Sequence, residues 1–304
     1  MKLWQKKQSA HEKIDHFTVG RDREYDLVLA AYDCTASIAH AKMLSKIGLL
    51  TEKESQTLTT ELEALKTSAE ASNFVIEDDF EDMHSKIEFV LTEKLGDLGK
   101  KIHTARSRND QVLVAIHLYL KKEISEIKSL SLDFFNLLME LAENHQNDLM
   151  PGYTHFQVAM PSSFGLWFSA YAESLIDDLT LLNAAQKIVD QNPMGSAAGY
   201  GSSFPIDREE TTQLMAFSDL KYNVMAAQMS RGKAEKITAT GIAGVSATLA
   251  KLAMDICLYM SQEFNFITFP DNLTTGSSIM PHKKNPDVFE LIRGKCNLLQ
   301  GLPN

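Results

Sequence analysis

Three short polar segments of this chain carry side chains that could bind carboxylates or move protons. They are "TARSRNDQ" (Thr104–Gln111), "PGYTHFQVAMP" (Pro151–Pro161) and "TTGSSIMPHKKNPD" (Thr274–Asp287). Together they supply guanidinium, amide, imidazole, hydroxyl and ammonium groups, which can hold an anionic substrate and transfer a proton. Any one segment alone is more simply interpreted as a capped helix end, so the chemical interpretation depends on all three.

The first segment contains a candidate carboxylate clamp. Arg108 and Asn109 combine a planar fork of donors with an amide, a pair well suited to the two oxygens of a carboxylate. In the alternative interpretation Arg108 bonds a neighbouring helix and Asp110 places a negative charge at the start of the next helix.

The second segment contains a candidate proton-transfer group, His155, which lies between Thr154 and Phe156. An imidazole titrates near neutral pH and can act as general acid or base. Such a group needs an orienting carboxylate, for which Glu290 is a candidate. The chain has nine histidines, and most histidines are structural; His84 and His103 are interpreted in that way.

The third segment pairs Ser277 and Ser278 with Lys283 and Lys284 in a loop rich in Gly, Pro and Asn. Ordinary turn chemistry would explain this composition. The functional alternative is a mobile lid that excludes water and delivers a serine hydroxyl, with a lysine and backbone amides stabilising its anion. A further glycine-rich stretch, Met194–Ser203, lacks the lysine of a phosphate-binding loop and is interpreted as a flexible connector near the bundle end.

The elements that must position these segments are helices. From Val112 to Asn147 there is neither Pro nor Gly, and apolar residues recur at helical spacing. These residues are Leu113, Ile116, Leu120, Ile124, Ile127, Phe134, Leu138 and Leu141. Such a helix would be roughly 54 Å long, so the two segments that flank it can share a site only if another subunit supplies one of them. The pattern therefore predicts an oligomer with composite sites.

Further helices are predicted on both sides of this one, and strand-like alternation is almost absent. Their ranges are Tyr25–Ile47, Thr51–Ser72, Ser162–Asp190 and Val224–Phe264, the last open to bending or interruption at Gly232, Gly241 and Gly244. Thr51 and Glu54 have the spacing of a capping box. The predicted fold is all-α: a smaller N-terminal helical domain over 1–105 and a long-helix bundle over 106–304.

Composition excludes several functional classes. The net charge of −10 and the pI of about 5.4 leave no basic surface for nucleic acid. The cysteines at positions 34, 257 and 296 lack the spacing of a metal site or disulfide framework. The N-terminus has no apolar signal sequence, and charged residues interrupt the apolar run Val245–Phe269. We therefore expect a soluble cytoplasmic protein that neither spans a membrane nor binds a metal.

The three segments together resemble the fumarase/aspartase superfamily. "GSSIMPHKKNPD" is similar to its GSSxMPxKxNP signature, and "GYTHFQVAMP" to its second shared region. "TARSRNDQV", with "FPIDR" and "SIAHAKML", is similar to the argininosuccinate lyase branch. The similarity covers most of residues 25 to 300, and family members continue past the final "LLQGLPN", so we expect a chain lacking the C-terminal part.

The resemblance implies a β-elimination that splits L-argininosuccinate into arginine and fumarate without metal or organic cofactor. Ser277 would be the base, Lys283 and Asn285 would hold the developing dianion, and His155 with Glu290 would serve the leaving nitrogen. The substrate's carboxylates would be bound by Ser107, Arg108, Asn109 and Thr154. The resemblance also implies a homotetramer whose sites combine several subunits.

Two alternatives remain open at this stage. His282 stands where adenylosuccinate lyases also have histidine, so another fumarate-releasing lyase is one of them. The other is a non-catalytic structural relative, as in the lens crystallins of this family.

Overall fold

The computed structural model describes residues 17–304, and helices dominate this range. The helices are α1 (Asp22–Lys46), α2 (Glu52–Glu70), α3 (Met83–Leu95), α4 (Asp97–Lys100), α5 (Arg108–Asn144), α6 (Phe164–Val189), α7 (Arg208–Leu214), α8 (Val224–Met229), α9 (Lys233–Tyr259) and α10 (Asp287–Gly301). Short 3₁₀ helices cover Lys101–His103 and Asp271–Leu273. The strands are β1 (Leu149–Thr154), β2 (Gln157–Ser163), β3 (Gln191–Asn192) and β4 (Asp219–Leu220). The predicted all-α class is confirmed.

The chain forms two compact units that do not follow chain order. The first comprises the described residues up to Lys122 together with Ile188–Lys233, and the second comprises Glu123–Lys187 together with Ala234–Asn304. These units are defined by contacts within the structure and do not test the predicted domain boundary near residue 105. That boundary stays a prediction.

Helices α1, α2 and α3 surround the main core of the first unit. Leu44, Leu58, Leu62 and Leu91 are completely buried there. The predicted capping box is present: Thr51 Oγ1 accepts from Glu54 N at 3.2 Å, and Thr51 N donates to Glu54 Oε2 at 2.8 Å. These reciprocal bonds satisfy N–H groups that the start of α2 would otherwise leave unpaired.

The core of the second unit lies among α5, α6 and α9. Its buried members are Leu138, Ala172, Leu175, Leu182, Val245, Leu252 and Ile256. The predicted helix over Val224–Phe264 is interrupted between Met229 and Lys233, at one of the three glycines expected to bend or interrupt it: Gly232 has φ +76°, and the second helix ends at Tyr259. Gly241 and Gly244 stay helical: a Cβ on Gly241 would lie 3.0 Å from Leu182, so glycine permits the close approach of α9 to α6.

The sequence-based interpretation missed a β-hairpin. Strands β1 and β2 pair antiparallel, with Thr154 opposite Gln157, so that His155 and Phe156 form a two-residue turn. Both turn residues have positive φ, +56° and +58°, a conformation that usually selects Asn and Gly. Because neither is present, the sequence gives no turn signal. The second polar segment is therefore a hairpin rather than a capped helix end.

Helix α9 is apolar and long enough to cross a membrane by length and composition alone. Its residues Val245, Leu252 and Ile256 contribute to the core of the second unit. A core helix passes the same test, so this feature does not indicate a membrane protein.

Candidate active site

The first polar segment forms the start of α5. Ser107 precedes the helix, and its Oγ accepts from the backbone N–H of Asn109 at 3.3 Å and from the Asn109 side-chain amide at 3.1 Å. Ser107 N in turn donates to Asp110 Oδ1 at 3.0 Å. These local bonds fix the Ser107 and Asn109 side chains side by side.

Arg108 is held by residues at and just before the start of α3. Its guanidinium Nη1 lies 3.0 Å from Glu81 Oε2 and 2.9 Å from Asp82 Oδ2, and Nη2 donates to Ser85 Oγ at 2.9 Å. Within one chain these bonds match the alternative interpretation given above, in which Arg108 bonds a neighbouring helix. A guanidinium has five N–H donors, and the role of Arg108 in binding substrate stays a prediction.

A cleft of about 660 Å³ opens at this end of α5. One side is formed by His103, Arg106 and Ser107–Asn109, and the other by residues of the Met194–Ser203 stretch. Arg106 is buried, and its Nε and Nη2 have no hydrogen-bond partner within residues 17–304. Because the Arg106 guanidinium is enclosed in the protein, the donors that the cleft offers a carboxylate ligand are those of Ser107–Asn109.

A buried ionic network supports the cleft from behind. Arg106 Nη1 donates to Ser37 Oγ at 2.8 Å, Arg106 Nη2 lies 3.9 Å from Asp33 Oδ1, and His84 Nδ1 lies 3.0 Å from the same carboxylate oxygen. Burial opposes the charged form of His84, but the negative charge of the nearby Asp33 outweighs it and raises the His84 pKa. Burial similarly opposes an ionised Asp33, yet His84 and Arg106 lower the Asp33 pKa. The structural interpretation of His84 fits this arrangement.

His40 completes the buried polar layer in a neutral form. Its Nε2 lies 2.8 Å from the Thr104 carbonyl oxygen. Burial, and then the positive charge of Arg106, lower the His40 pKa to about 3. The neutral ring therefore fixes the backbone just before the polar segment without adding a charge.

The second polar segment places His155 at the tip of the β1–β2 hairpin, where its side chain is exposed. An aromatic cluster packs against β1 close to the turn: the Tyr153 ring lies 5.4 Å from the Phe264 ring, and Tyr259 lies 5.3 Å from Trp167. Trp167 Nε1 donates to Asp255 Oδ2 at 3.0 Å. Rigid packing therefore ends at Tyr153, one residue before Thr154 and His155.

The third polar segment is a loop closed at its base. Asn285 N donates to the Thr275 carbonyl at 2.8 Å, and Thr275 N donates to the Asn285 carbonyl at 3.3 Å. Ser277 Oγ accepts from the backbone N–H groups of Ile279 at 3.3 Å and Met280 at 3.2 Å. The Asn285 side-chain amide donates to Thr275 Oγ1 at 3.3 Å.

The structure thus brings some predicted site residues together within a unit. Ser107, Arg108 and Asn109 share one helix start, whereas Ser277, Lys283 and Asn285 share one loop, with Lys283 exposed. Glu290 is exposed in the first turn of α10, and no hydrogen bond or ion pair of residues 17–304 joins it to His155. The proposed orientation of His155 by Glu290 stays a prediction.

The sequence-based interpretation assigned no role to Arg106 or to the Met194–Ser203 stretch, both of which line the cleft. The glycine spacing drew attention to the stretch, but nothing in the sequence indicates that it faces Asn109. Among the described residues, no group of three or more His, Cys, Asp or Glu side chains could hold a metal ion.

Comparisons with known proteins identify the class. A sequence model of the family described as "Lyase" matches residues 7–301. A crystal structure of EDDS lyase in complex with formate superposes with a TM-score of 0.81 at 24% identity, covering 97% of this chain and 58% of that one. Class II fumarase from Schistosoma mansoni superposes with a TM-score of 0.78 at 18% identity, covering 99% and 72%. At such identities these structures show the fold alone, that of a long-helix lyase.

Relatives of higher identity narrow the class. The argininosuccinate lyases of Parabacteroides distasonis and Phocaeicola vulgatus are 56% and 57% identical over 302 residues, which is 99% of this chain and 68% of each relative. The enzyme of the same description from Stenotrophomonas maltophilia is 43% identical over 292 residues. The chain therefore belongs to the argininosuccinate lyases, a family of carbon–nitrogen lyases.

Proposed function

We propose that the protein splits L-argininosuccinate into L-arginine and fumarate, as a step of arginine biosynthesis. The observation that carries this function is the 56–57% identity to argininosuccinate lyases over 99% of the chain. Because the chain spans 68% of those relatives, and 58% of the solved EDDS lyase, the proposal concerns the activity of the whole protein.

The reaction removes a proton and breaks one carbon–nitrogen bond. A base takes a proton from the succinyl carbon next to a carboxylate, and the charge spreads into that carboxylate as an aci-carboxylate dianion. The electrons then form the carbon–carbon double bond of fumarate, while the carbon–nitrogen pair leaves with the guanidino nitrogen, which gains a proton. The site must stabilise the dianion more strongly than the substrate.

Ser277 is the proposed base. The backbone N–H groups of Ile279 and Met280 point at its Oγ, and two such donors stabilise negative charge on that oxygen. Lys283, exposed in the same loop, and Asn285 would hold the dianion. Closure of the loop as a lid is part of this proposal.

His155 is proposed to serve the departing nitrogen, directly or through water, with Glu290 orienting the imidazole. The position of His155 at an exposed hairpin tip supports a role in a site completed by other elements. Ser107, Arg108, Asn109 and Thr154 are proposed to bind the substrate's carboxylates.

We further propose a cytoplasmic homotetramer with composite sites, requiring no cofactor and no nucleic-acid or membrane partner. Ser107 and His155 flank α5, whose 37 residues make a helix about 55 Å long. Exposed leucines on α5 also offer an apolar surface for another copy: Leu130 is 62% exposed and Leu132 is 52% exposed.

Fumarate release tests the function directly. The assembled protein should release fumarate, followed by its ultraviolet absorbance, from L-argininosuccinate and not from adenylosuccinate at equal concentration. Turnover of adenylosuccinate alone would assign the protein to the other lyase branch, and no turnover of either would leave the structural alternative.

A further inference from the structure

The glycine-rich stretch opposite Asn109, which we name the cleft loop (Gly195–Gly201), is firmly attached to the start of α5. Asp110 is completely buried, and its Oδ2 accepts from Gly195 N at 3.0 Å and from Ala197 N at 3.1 Å. The other oxygen of the same carboxylate accepts from Ser107 N. One side chain therefore fixes both sides of the cleft relative to each other.

A second attachment comes from α8. Gln228 Nε2 donates to Ser196 Oγ at 2.9 Å and to the Ala197 carbonyl at 3.0 Å. Ser196 is completely buried, and Gln228 does not line the cleft. The loop is thus held by Asp110 through its N–H groups and by Gln228 through a hydroxyl and a carbonyl.

The attached loop presents a tyrosine to the cleft. Tyr200 lines the cleft, and it is 83% exposed. Its neighbours Gly199 and Gly201 have φ of +105° and +77°, values that only glycine adopts without strain. The backbone therefore turns sharply on both sides of Tyr200, which lines the same cleft as Ser107 and Asn109.

We propose that Tyr200 is a substrate-contacting residue that donates its phenol hydrogen bond to the carboxylate held by Ser107 and Asn109. Asp110 and Gln228 are positioning residues that hold the cleft loop at the distance this contact needs. The inference rests on the proposed function, because that function supplies the dicarboxylate ligand. A phenol hydroxyl is a neutral donor, and its bond to a carboxylate is charge-assisted.

Steady-state kinetics of Tyr200→Phe test the contact. Losing one hydrogen bond to a charged group should raise the KM for argininosuccinate about tenfold, with kcat within about twofold, since the bond binds substrate and transition state alike. Tyr200→Ala should raise KM at least as far. Tyr222→Phe is the matched control, because Tyr222 is also exposed in the same unit (71%) but does not line the cleft.

Gln228→Glu tests the positioning role without touching the ligand. At neutral pH a carboxylate of the same shape cannot donate to Ser196 Oγ or to the Ala197 carbonyl, so KM should rise about threefold or more while kcat changes little. Asp110 is unsuitable for this purpose because its replacement leaves the N–H groups of Ser107, Gly195 and Ala197 without their acceptor and endangers folding. Thermal unfolding of Gln228→Glu monitors whether its fold is intact.

Failure of the tyrosine contact and failure of the proposed function give different experimental results. If the wild-type protein releases fumarate and Tyr200→Phe keeps KM within twofold of it, the tyrosine contact is overturned and the proposed function stands. If the wild-type protein releases no fumarate, the proposed function fails, and calorimetric titration with fumarate decides the inference. Equal fumarate affinity of wild type and Tyr200→Phe overturns it, and a loss of about tenfold in the variant supports it.

Discussion

His84 Nδ1 lies 3.0 Å from Asp33 Oδ1, and both side chains are almost completely buried. The pair lies behind the cleft and shares Asp33 with Arg106. A buried pair of this kind contributes little beyond an apolar equivalent, but removing one partner leaves an uncompensated charge. The same few buried atoms therefore affect both the stability of the protein and the geometry of the first polar segment.

Replacing His84 should make this dependence measurable. His84→Gln should lower the free energy of unfolding by roughly 3 kcal/mol, measured by urea denaturation at pH 6. His145→Gln is the control: His145 pairs with Asp148 at 2.6 Å but is exposed, so it should cost less than about 1 kcal/mol. Equal losses in the two variants would contradict the importance of the buried pair.

The stability of the wild-type protein should also depend on pH through this pair. The His84 pKa is raised above its ordinary value of 6.5, so its contribution is complete below pH 6.5 and is lost as pH rises through the folded pKa. The Asp33 pKa is lowered below 3.8, so its contribution is complete above pH 3.8 and is lost as pH falls. Urea midpoints should therefore decline as pH rises above 6.5, less steeply in His84→Gln; an identical slope would contradict this account.

Ser277→Ala should remove the base and lower kcat by at least about 100-fold. The side chain lies in a loop whose base is closed by Thr275 and Asn285, so the fold and assembly should be retained. Ser278→Ala is a matched control in the same loop and should keep kcat within a few fold. Fumarate release by both variants provides the measurement, and comparable kcat values would remove Ser277 from the mechanism.

The hairpin turn offers a prediction about stability. Phe156 is 75% exposed and has φ +58°, a strained conformation for a bulky side chain. Phe156→Gly relieves this strain and should raise the free energy of unfolding by about 1 kcal/mol. Val158→Gly, in the adjacent strand, should lower it because glycine weakens strands. Thermal unfolding of both variants provides the measurement. If Phe156→Gly were the less stable of the two variants, the assigned turn would be refuted.

Composite sites predict recovery of activity in mixed assemblies. Asn109→Ala and His155→Asn alter opposite ends of α5, and each variant alone should be nearly inactive. If each site takes these residues from different subunits, random reassembly of equal amounts should restore about a quarter of wild-type fumarate release. Absence of recovery, with mixed assemblies demonstrated by native mass spectrometry, would show that one subunit supplies both residues.

The sequence by itself determined most of the long helices and the family. Periodic apolar residues placed α5 within four residues of its observed ends, and Thr51 with Glu54 correctly marked the start of α2. Such features depend on neighbours three or four residues apart, so local patterns suffice. The signature around Ser277 was likewise readable because its members are contiguous in the chain.

Only the tertiary structure revealed the features that depend on contacts between residues far apart in the chain. It showed that His155 lies on a hairpin whose turn residues carry no turn signal, and that Asp110 joins the cleft loop to Ser107. Asp110 and Gly195 are 85 residues apart, and no local propensity records a bond over such a separation. Folding buries the carboxylate against N–H groups that need an acceptor, and this requirement exists only once the chain is packed.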